Sequence, residues 1–338
     1  IATCLVNPRA CYETELIFKE AQKQKNIAVI GAGPAGLSFA VYAADRGHQV
    51  KIFEASHQIG GQFNIAKTVP GKEEFYETLR YFNRQIELRP NIELVLNHKA
   101  TYEELSQSGF DEIVVATGVT PRQLEFEGID HPKVLSYLQV LKERVPVGQR
   151  VAIIGALRCA PVGDRVAVIG AGGIGFDTAE YLTHEGESGS LNPEKFYEEW
   201  GIDTHYEYVG GLKQPKVEAS EREIYLLQRK ASSVGAGLGK TTGWIHRTGL
   251  KNRNVKMLAG VQYDKVDDQG LHITVDGKPT VLEVDNVVIC AGQESFTAMY
   301  DQLKADGKNV HLIGGAKEAG ELDAKRAIRQ GAELAAVL

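Results

Sequence analysis

The chain has 338 residues, 43% of them hydrophobic and 24% charged, with a formal net charge of -6. That length predicts two domains, each large enough to bury a core without disulfides, and the composition excludes disordered and collagen-like classes. The acidic balance argues against nucleic acid or an anionic membrane as partner, and no apolar run approaches the ~20 residues of a membrane helix.

Residues 1–25 read as a linker segment, with a turn at Asn7-Pro8 and charge-rich sequence after it. It opens at Ile1, not Met, so the chain is expected to be a fragment of a longer protein, and these residues lack the apolar core of a signal peptide. Cys4, Cys11, Cys159 and Cys290 form no CxxC, which excludes a thioredoxin-type dithiol and points to a reducing, cytoplasmic setting.

From Asn26 the pattern becomes strand, glycine turn, helix and strand. The apolar run Ile27 to Ile30 leads into Gly31-x-Gly33-Pro34-Ala35-Gly36, then a helix from Ala35 to Arg46, then a strand from Val50 to Glu54. In such a turn the first glycine permits the tight bend, the second admits a pyrophosphate to the backbone, and the third lets helix and strand pack closely. The helix N-terminus then faces the anion. Glu54 lies 18 positions beyond Gly36, where an acid hydrogen-bonds an adenosine ribose and repels a 2'-phosphate. Two further stretches belong with this site: Gly60-Gly61-Gln62, and the strand Ile113 to Ala116 ending in Thr117-Gly118. Glycine pairs let a flat ring lie against the backbone.

The stretch Pro146 to Ala156 recurs almost unchanged as Pro161 to Ala171. The first copy continues Leu157-Arg158-Cys159 and lacks the phosphate glycines, so only the second is expected to bind a nucleotide. That second copy runs Val166 to Ile169, then Gly170-Ala-Gly172-Gly173-Ile-Gly175, into a helix at Phe176 to Leu182. After a polar insertion from about Glu185 to Arg222, the strand Glu223 to Gln228 ends in Arg229-Lys230. Two cations here are what a 2'-phosphate requires, which favours NADPH over NADH. The run Val287 to Gly292 closes the unit, with Cys290 read as a small buried hydrophobe. His246, set among an aromatic and cations, is expected to be a packed or surface histidine. Finally, Val310 to Ile313 reads as a strand entering Gly314-Gly315, with a helix from Glu321 to Val337.

The first fingerprint, its Pro34-Ala35 variant and the glycine pairs resemble the two-dinucleotide-binding flavoproteins, and this resemblance implies FAD at the first site. It also implies that Gly314-Gly315 aims a helix toward the flavin. Relatives carry an acid in that turn, where this chain has Lys317.

Longer strings are more specific. Thr3-Cys4-Leu-Val-Asn-Pro8, Gly60 to Lys67, Pro70 to Arg80 and Gly239 to Arg247 together resemble the C-terminal half of bacterial NADPH-dependent 2,4-dienoyl-CoA reductases. The resemblance implies a flow of electrons from NADPH to FAD, then through a 4Fe-4S cluster and FMN to an unsaturated acyl-CoA in fatty-acid metabolism. The cluster and FMN are expected only with the missing N-terminal barrel as partner. Cys4 matches the last cluster ligand, and one thiolate cannot hold a cluster.

The expected architecture is α/β, with two Rossmann-like domains. The FAD domain comprises 26–145 and 293–338, and the NADP domain, 146–292, is inserted in it. No side chain is assigned a catalytic role, because hydride exchange between stacked rings needs orientation above all. Two rivals stand beside this reading: a redox-silent scaffold holding ADP, and a reductase subunit serving another acceptor.

Overall fold

The computed structural model describes residues 3–143, 164–320 and 323–338. The first copy of the duplicated stretch, 146–156, lies outside the described residues, as do the first three residues of the second. Two compact units are present, one of residues 1–64, 74–120 and 293–338, the other of residues 65–73 and 121–292.

In the first unit, β1 (Asn26–Ile30), α1 (Pro34–Asp45), β2 (Gln49–Phe53), α3 (Phe75–Glu87), β3 (Ile92–Val95), α4 (Tyr102–Ser106) and β4 (Glu112–Val115) run in order; the short α2 (Phe63–Ala66) begins in this unit and ends in the other. The chain returns at its end with α8 (Ala298–Ala305), β15 (Val310–Leu312) and α9 (Ala324–Val337). The sheet has the order β15-β4-β1-β2-β3, and every pairing in it is parallel. Alternate residues of β1 face opposite sides. Ile27 and Val29 pack with Leu37, Phe39, Phe82 and Ile328, while Ala28 and Ile30 pack with Leu105, Val115 and Leu303.

The second unit repeats the plan. Its parallel sheet has the order β6-β13-β7-β8-β9, made of β6 (Val134–Ser136), β7 (Arg165–Ile169), β8 (Glu223–Leu227), β9 (Lys256–Leu258) and β13 (Asn286–Ile289). One face packs on α5 (Gly173–Thr183) and α7 (Gly243–Asn252) through Phe176, Leu182 and Leu250. The other is covered by an antiparallel meander of β10 (Gln262–Asp267), β11 (Gly270–Val275) and β12 (Lys278–Leu282), using Leu271 and Ile273. The polar insertion carries α6 (Pro193–Trp200), which Asn192 caps by accepting from the Lys195 N–H at 3.1 Å. Back in the first unit, the short strands β5 (Val119–Pro121), whose last residue opens the second unit, and β14 (Gln293–Ser295) pair with each other.

Two expectations change. The boundary read at 145/146 falls at 120/121, because β6 adds to the second sheet beside β13. Residues read as a linker pack onto the first unit: Phe18 stacks on Tyr42 at 4.2 Å, and the Arg329 guanidinium lies 3.9 Å from the Tyr12 ring centroid. The last helix, expected from Glu321, a position outside the described residues, is present as α9 from Ala324 with Asp323 as its cap, and Gly314–Ala316 form a single 3-10 turn ahead of it. Asp323 accepts the Lys325 N–H at 2.8 Å, and so supplies the start signal the glycines lack.

Candidate nucleotide-binding sites

In an open sheet of this order, ligands bind at the carboxyl ends of the strands where strand order reverses. That point lies between β1 and β4 in the first unit and between β7 and β13 in the second. Both glycine fingerprints sit there.

Gly31 has φ +106°, and a Cβ on it would lie 2.6 Å from the Ala116 carbonyl oxygen at the end of β4. A Cβ on Gly36 would lie 2.1 Å from the Gly31 oxygen, so only glycine lets α1 approach the turn. Ahead of Gly33 there is open space. Gly33 is the extended N-cap of α1 and Pro34 fills the first helical position, where its missing N–H costs nothing. No side chain caps this end, which leaves the first-turn N–H groups for an anion.

The Gly60-Gly61 loop folds over the turn. The Gly60 N–H donates to the Ala32 oxygen at 2.8 Å, and the Cβ position of Gly61 is 3.2 Å from the Gly33 Cα. Gln62, next in that loop, is half-buried. On the other flank, a Cβ on Gly314 would sit 2.7 Å from the Ala35 Cβ, and one on Gly315 3.2 Å from Gly118. The Thr117 hydroxyl donates to the Phe296 oxygen at 2.9 Å. Gly31 to Gly36, Gly61, Gly118 and Gly314-Gly315 therefore converge on the start of α1, a cradle with backbone walls that fits a dinucleotide. Lys317, after the glycine turn, is exposed.

Glu54 is buried at 8% exposure. One carboxylate oxygen accepts the Ala32 N–H at 2.8 Å, and the other accepts the Ser56 N–H at 2.8 Å and its hydroxyl at 2.6 Å. A carboxylate offers about four acceptor sites, so about one is left for a ribose hydroxyl. Ser56 is a fastening the fingerprint pattern did not reveal.

The second turn repeats the first. Gly170 has φ +108° with its Cβ position 2.6 Å from the Cys290 oxygen, the Cβ position of Gly175 is 1.7 Å from the Gly170 oxygen, and Gly172 and Gly173 face open space. Register makes the comparison residue by residue: Ile30 pairs with Phe53 before Glu54, and Ile169 pairs with Leu227 before Gln228. Gln228 thus stands where the first unit has its acid. Its amide nitrogen donates to the Lys230 oxygen at 3.0 Å and the Ser232 oxygen at 2.8 Å. Arg229 and Lys230 are exposed at this turn. Burial pushes the neighbouring Tyr263 hydroxyl up to about 12, with the Arg229 charge acting against it.

Along α5, Lys72 pairs with Asp177 at 2.6 Å, and His246 lies 3.3 Å from Glu180. Burial raises the Asp177 carboxyl while Lys72 opposes, and the Glu180 hydrogen bond raises His246 despite its burial. Lys72 and Asp177 were not singled out in the sequence, because nothing local links them. Cys290 is buried beside the Thr178 hydroxyl at 3.4 Å, and burial pushes its thiol up to about 12, which keeps it unreactive. Cys4 and Cys11 are free and exposed. Among the described residues no group of three or more His, Cys, Asp or Glu side chains could hold a metal, and no helix is long and apolar enough to cross a membrane.

The family model for pyridine nucleotide-disulphide oxidoreductases matches residues 25–315. A metal reductase of Desulforamulus reducens is 31% identical over 324 residues, covering 93% of this chain and 44% of that protein. A cinnamate reductase of Clostridium sporogenes is 27% identical, covering 94% of this chain and 40% of its own length. Among solved structures, a 2-naphthoyl-CoA reductase in complex with 2-naphthoyl-CoA superposes with a TM-score of 0.78 at 27% identity, over 99% of this chain and 43% of that one. The chain spans less than half the length of each. With both fingerprints at the switch points of two parallel sheets, the chain belongs to the pyridine nucleotide-disulphide oxidoreductase family, as a flavoprotein NAD(P)H oxidoreductase domain.

Proposed function

We propose that the chain is the NADPH- and FAD-binding reductase half of a 2,4-dienoyl-CoA reductase, with FAD in the first unit and NADPH in the second. The observation that carries the cofactor assignment is the contrast at one register position, where Glu54 ends the second strand of one unit and Gln228-Arg229-Lys230 ends that of the other. A buried carboxylate accepts ribose hydroxyls and repels a 2'-phosphate; an amide followed by two exposed cations does the reverse.

Bound FAD supplies the acceptor for a hydride from the nicotinamide. The chain's own residues bind and orient. Gly33 and Gly172 admit the pyrophosphates, the uncapped starts of α1 and α5 face them, and Glu54 fixes the flavin's adenosine. No side chain is required to move a proton.

The acyl-CoA assignment rests on the long strings from Thr3 to Pro8, Gly60 to Lys67 and Gly239 to Arg247, and a related structure holding 2-naphthoyl-CoA favours a thioester. The reading includes an N-terminal barrel as partner, carrying FMN and most ligands of a 4Fe-4S cluster to which Cys4 would contribute. The setting would be cytoplasmic. Purified chain is expected to take up FAD and to be bleached by NADPH under anaerobic conditions, while leaving dienoyl-CoA unreduced. A colourless protein that retains ADP, identified by mass after denaturation, would instead establish a redox-silent scaffold.

A further inference from the structure

We infer that Gln228 is a positioning residue of the second site, holding the Arg229-Lys230 turn in the shape a 2'-phosphate requires. The inference rests on the proposed reading of Arg229 and Lys230 as phosphate ligands.

The turn is built from two sides. From within, the Gln228 amide nitrogen spans it, donating to the Lys230 oxygen at 3.0 Å, the Ser232 oxygen at 2.8 Å and the Ser232 hydroxyl at 3.3 Å. From outside, the Gly260 N–H donates to the same Lys230 oxygen at 3.0 Å. The Gln228 backbone is itself held at both ends, its N–H donating to Leu258 at 2.9 Å and its carbonyl accepting from Val261 at 3.0 Å. Arg229 and Lys230 are thus exposed side chains on a fastened backbone. Ligand groups held before binding lose less entropy when the ligand arrives.

The chemistry demands a donor at this position. A carboxylate has no N–H to give, so glutamate would set acceptor against acceptor at both carbonyl oxygens and open the turn. It would also return the negative charge that Glu54 supplies in the first unit. Gln228 therefore acts twice: it withholds a charge that would repel the 2'-phosphate and braces the cations that attract it. Discrimination built from one attractive and one withheld repulsive element is a general route to specificity.

The test uses the full chain and two flavin-independent probes, adenosine 2',5'-bisphosphate and AMP, titrated calorimetrically, with KM values for NADPH and NADH alongside. Gln228→Ala is expected to weaken the bisphosphate about tenfold, the loss of about one charge-assisted hydrogen bond's worth of alignment, and to leave AMP unchanged. Gln228→Glu is expected to go further and invert the preference, raising the NADPH KM while lowering that for NADH. A merely structural role would weaken both probes together. If both Gln228 variants keep the wild-type ratio while Arg229→Ala with Lys230→Ala erases it, the inference is overturned and the phosphate reading stands. If the double variant keeps the preference, the reading falls and the inference with it. Should Gln228→Glu fail to fold, the alanine variant alone decides.

Discussion

Gly31 and Gly170 share a left-handed backbone, φ +106° and +108°, and in each a Cβ would lie 2.6 Å from a carbonyl oxygen on the neighbouring strand. The third glycines, Gly36 and Gly175, are equally unable to carry a side chain. Beyond the turns the likeness stops. Glu54 reaches back to the Ala32 N–H of its own fingerprint, whereas Gln228 reaches forward to Lys230 and Ser232. One motif is closed by its acid; the other passes the task to the loop. The same backbone frame thus ends in a buried acid in one unit and in an amide that braces the following loop in the other. A second contrast lies at the other ends of the sheets, where register places Glu112 and Asn286 at matching positions. Glu112 sits between Lys25 and His311, 2.7 and 2.8 Å away, while Asn286 is neutral.

The largest effects are expected from the third glycines. Gly36→Ala would force a Cβ against the Gly31 oxygen at 2.1 Å, at a cost of about 3 kcal/mol, the upper part of the overpacking range. It is expected to abolish flavin uptake, read as absorbance per mole of protein. Gly175→Ala should leave the flavin in place and abolish bleaching by NADPH. Loss of flavin from the second variant would break the separation of the two sites.

Next in size is Arg229→Ala with Lys230→Ala. Each phosphate contact is a charge-assisted hydrogen bond of about 1.5–3 kcal/mol, so the NADPH KM should rise at least tenfold with the NADH value unchanged. Equal losses for both coenzymes would show that the pair does not read the phosphate. Glu54→Ala leaves the Ala32 N–H without its acceptor and should weaken FAD by about 1–3 kcal/mol, measured by flavin titration.

A smaller effect separates the sheets by pH. Glu112 is desolvated by burial, yet hydrogen bonds from Lys25 and His311 outweigh that and hold its carboxyl below its ordinary 4.5. A depressed folded value gives stability that is present above 4.5 and lost as pH falls through the folded value. Melting followed from pH 6 downward should therefore show an acid-dependent loss that Glu112→Gln flattens. An unchanged pH profile in that variant would remove Glu112 from the account. Least of all, Cys290→Ala should cost only about 1 kcal/mol and leave the NADPH reaction intact, since the thiol is buried and unreactive.

Much of this was legible in the sequence because it is local. The strand-turn-helix pattern at Asn26 to Gly36 and at Arg165 to Gly175 lies within a dozen residues, and both helices begin within a few residues of where the apolar face predicts. The last helix was also legible: it was read from Glu321 to Val337, and α9 spans Ala324–Val337 behind its Asp323 cap. The polar insertion gave no periodicity to predict α6, which has no buried residue of its own.

By itself, then, the sequence determined two Rossmann-like folds and their glycine turns, since each rests on glycine positions a few residues apart. Only the tertiary structure decided what closes each site. That Gln228 answers Glu54 follows from parallel register between strands separated by a long insertion. That Glu54 is fastened by Ser56 and Ala32, and that β6 joins the second sheet, follows from hydrogen bonds whose partners are chosen in space. Glycine spacing is written along the chain, whereas a side chain's hydrogen-bond partners are selected by packing, and that selection distinguishes the two sites.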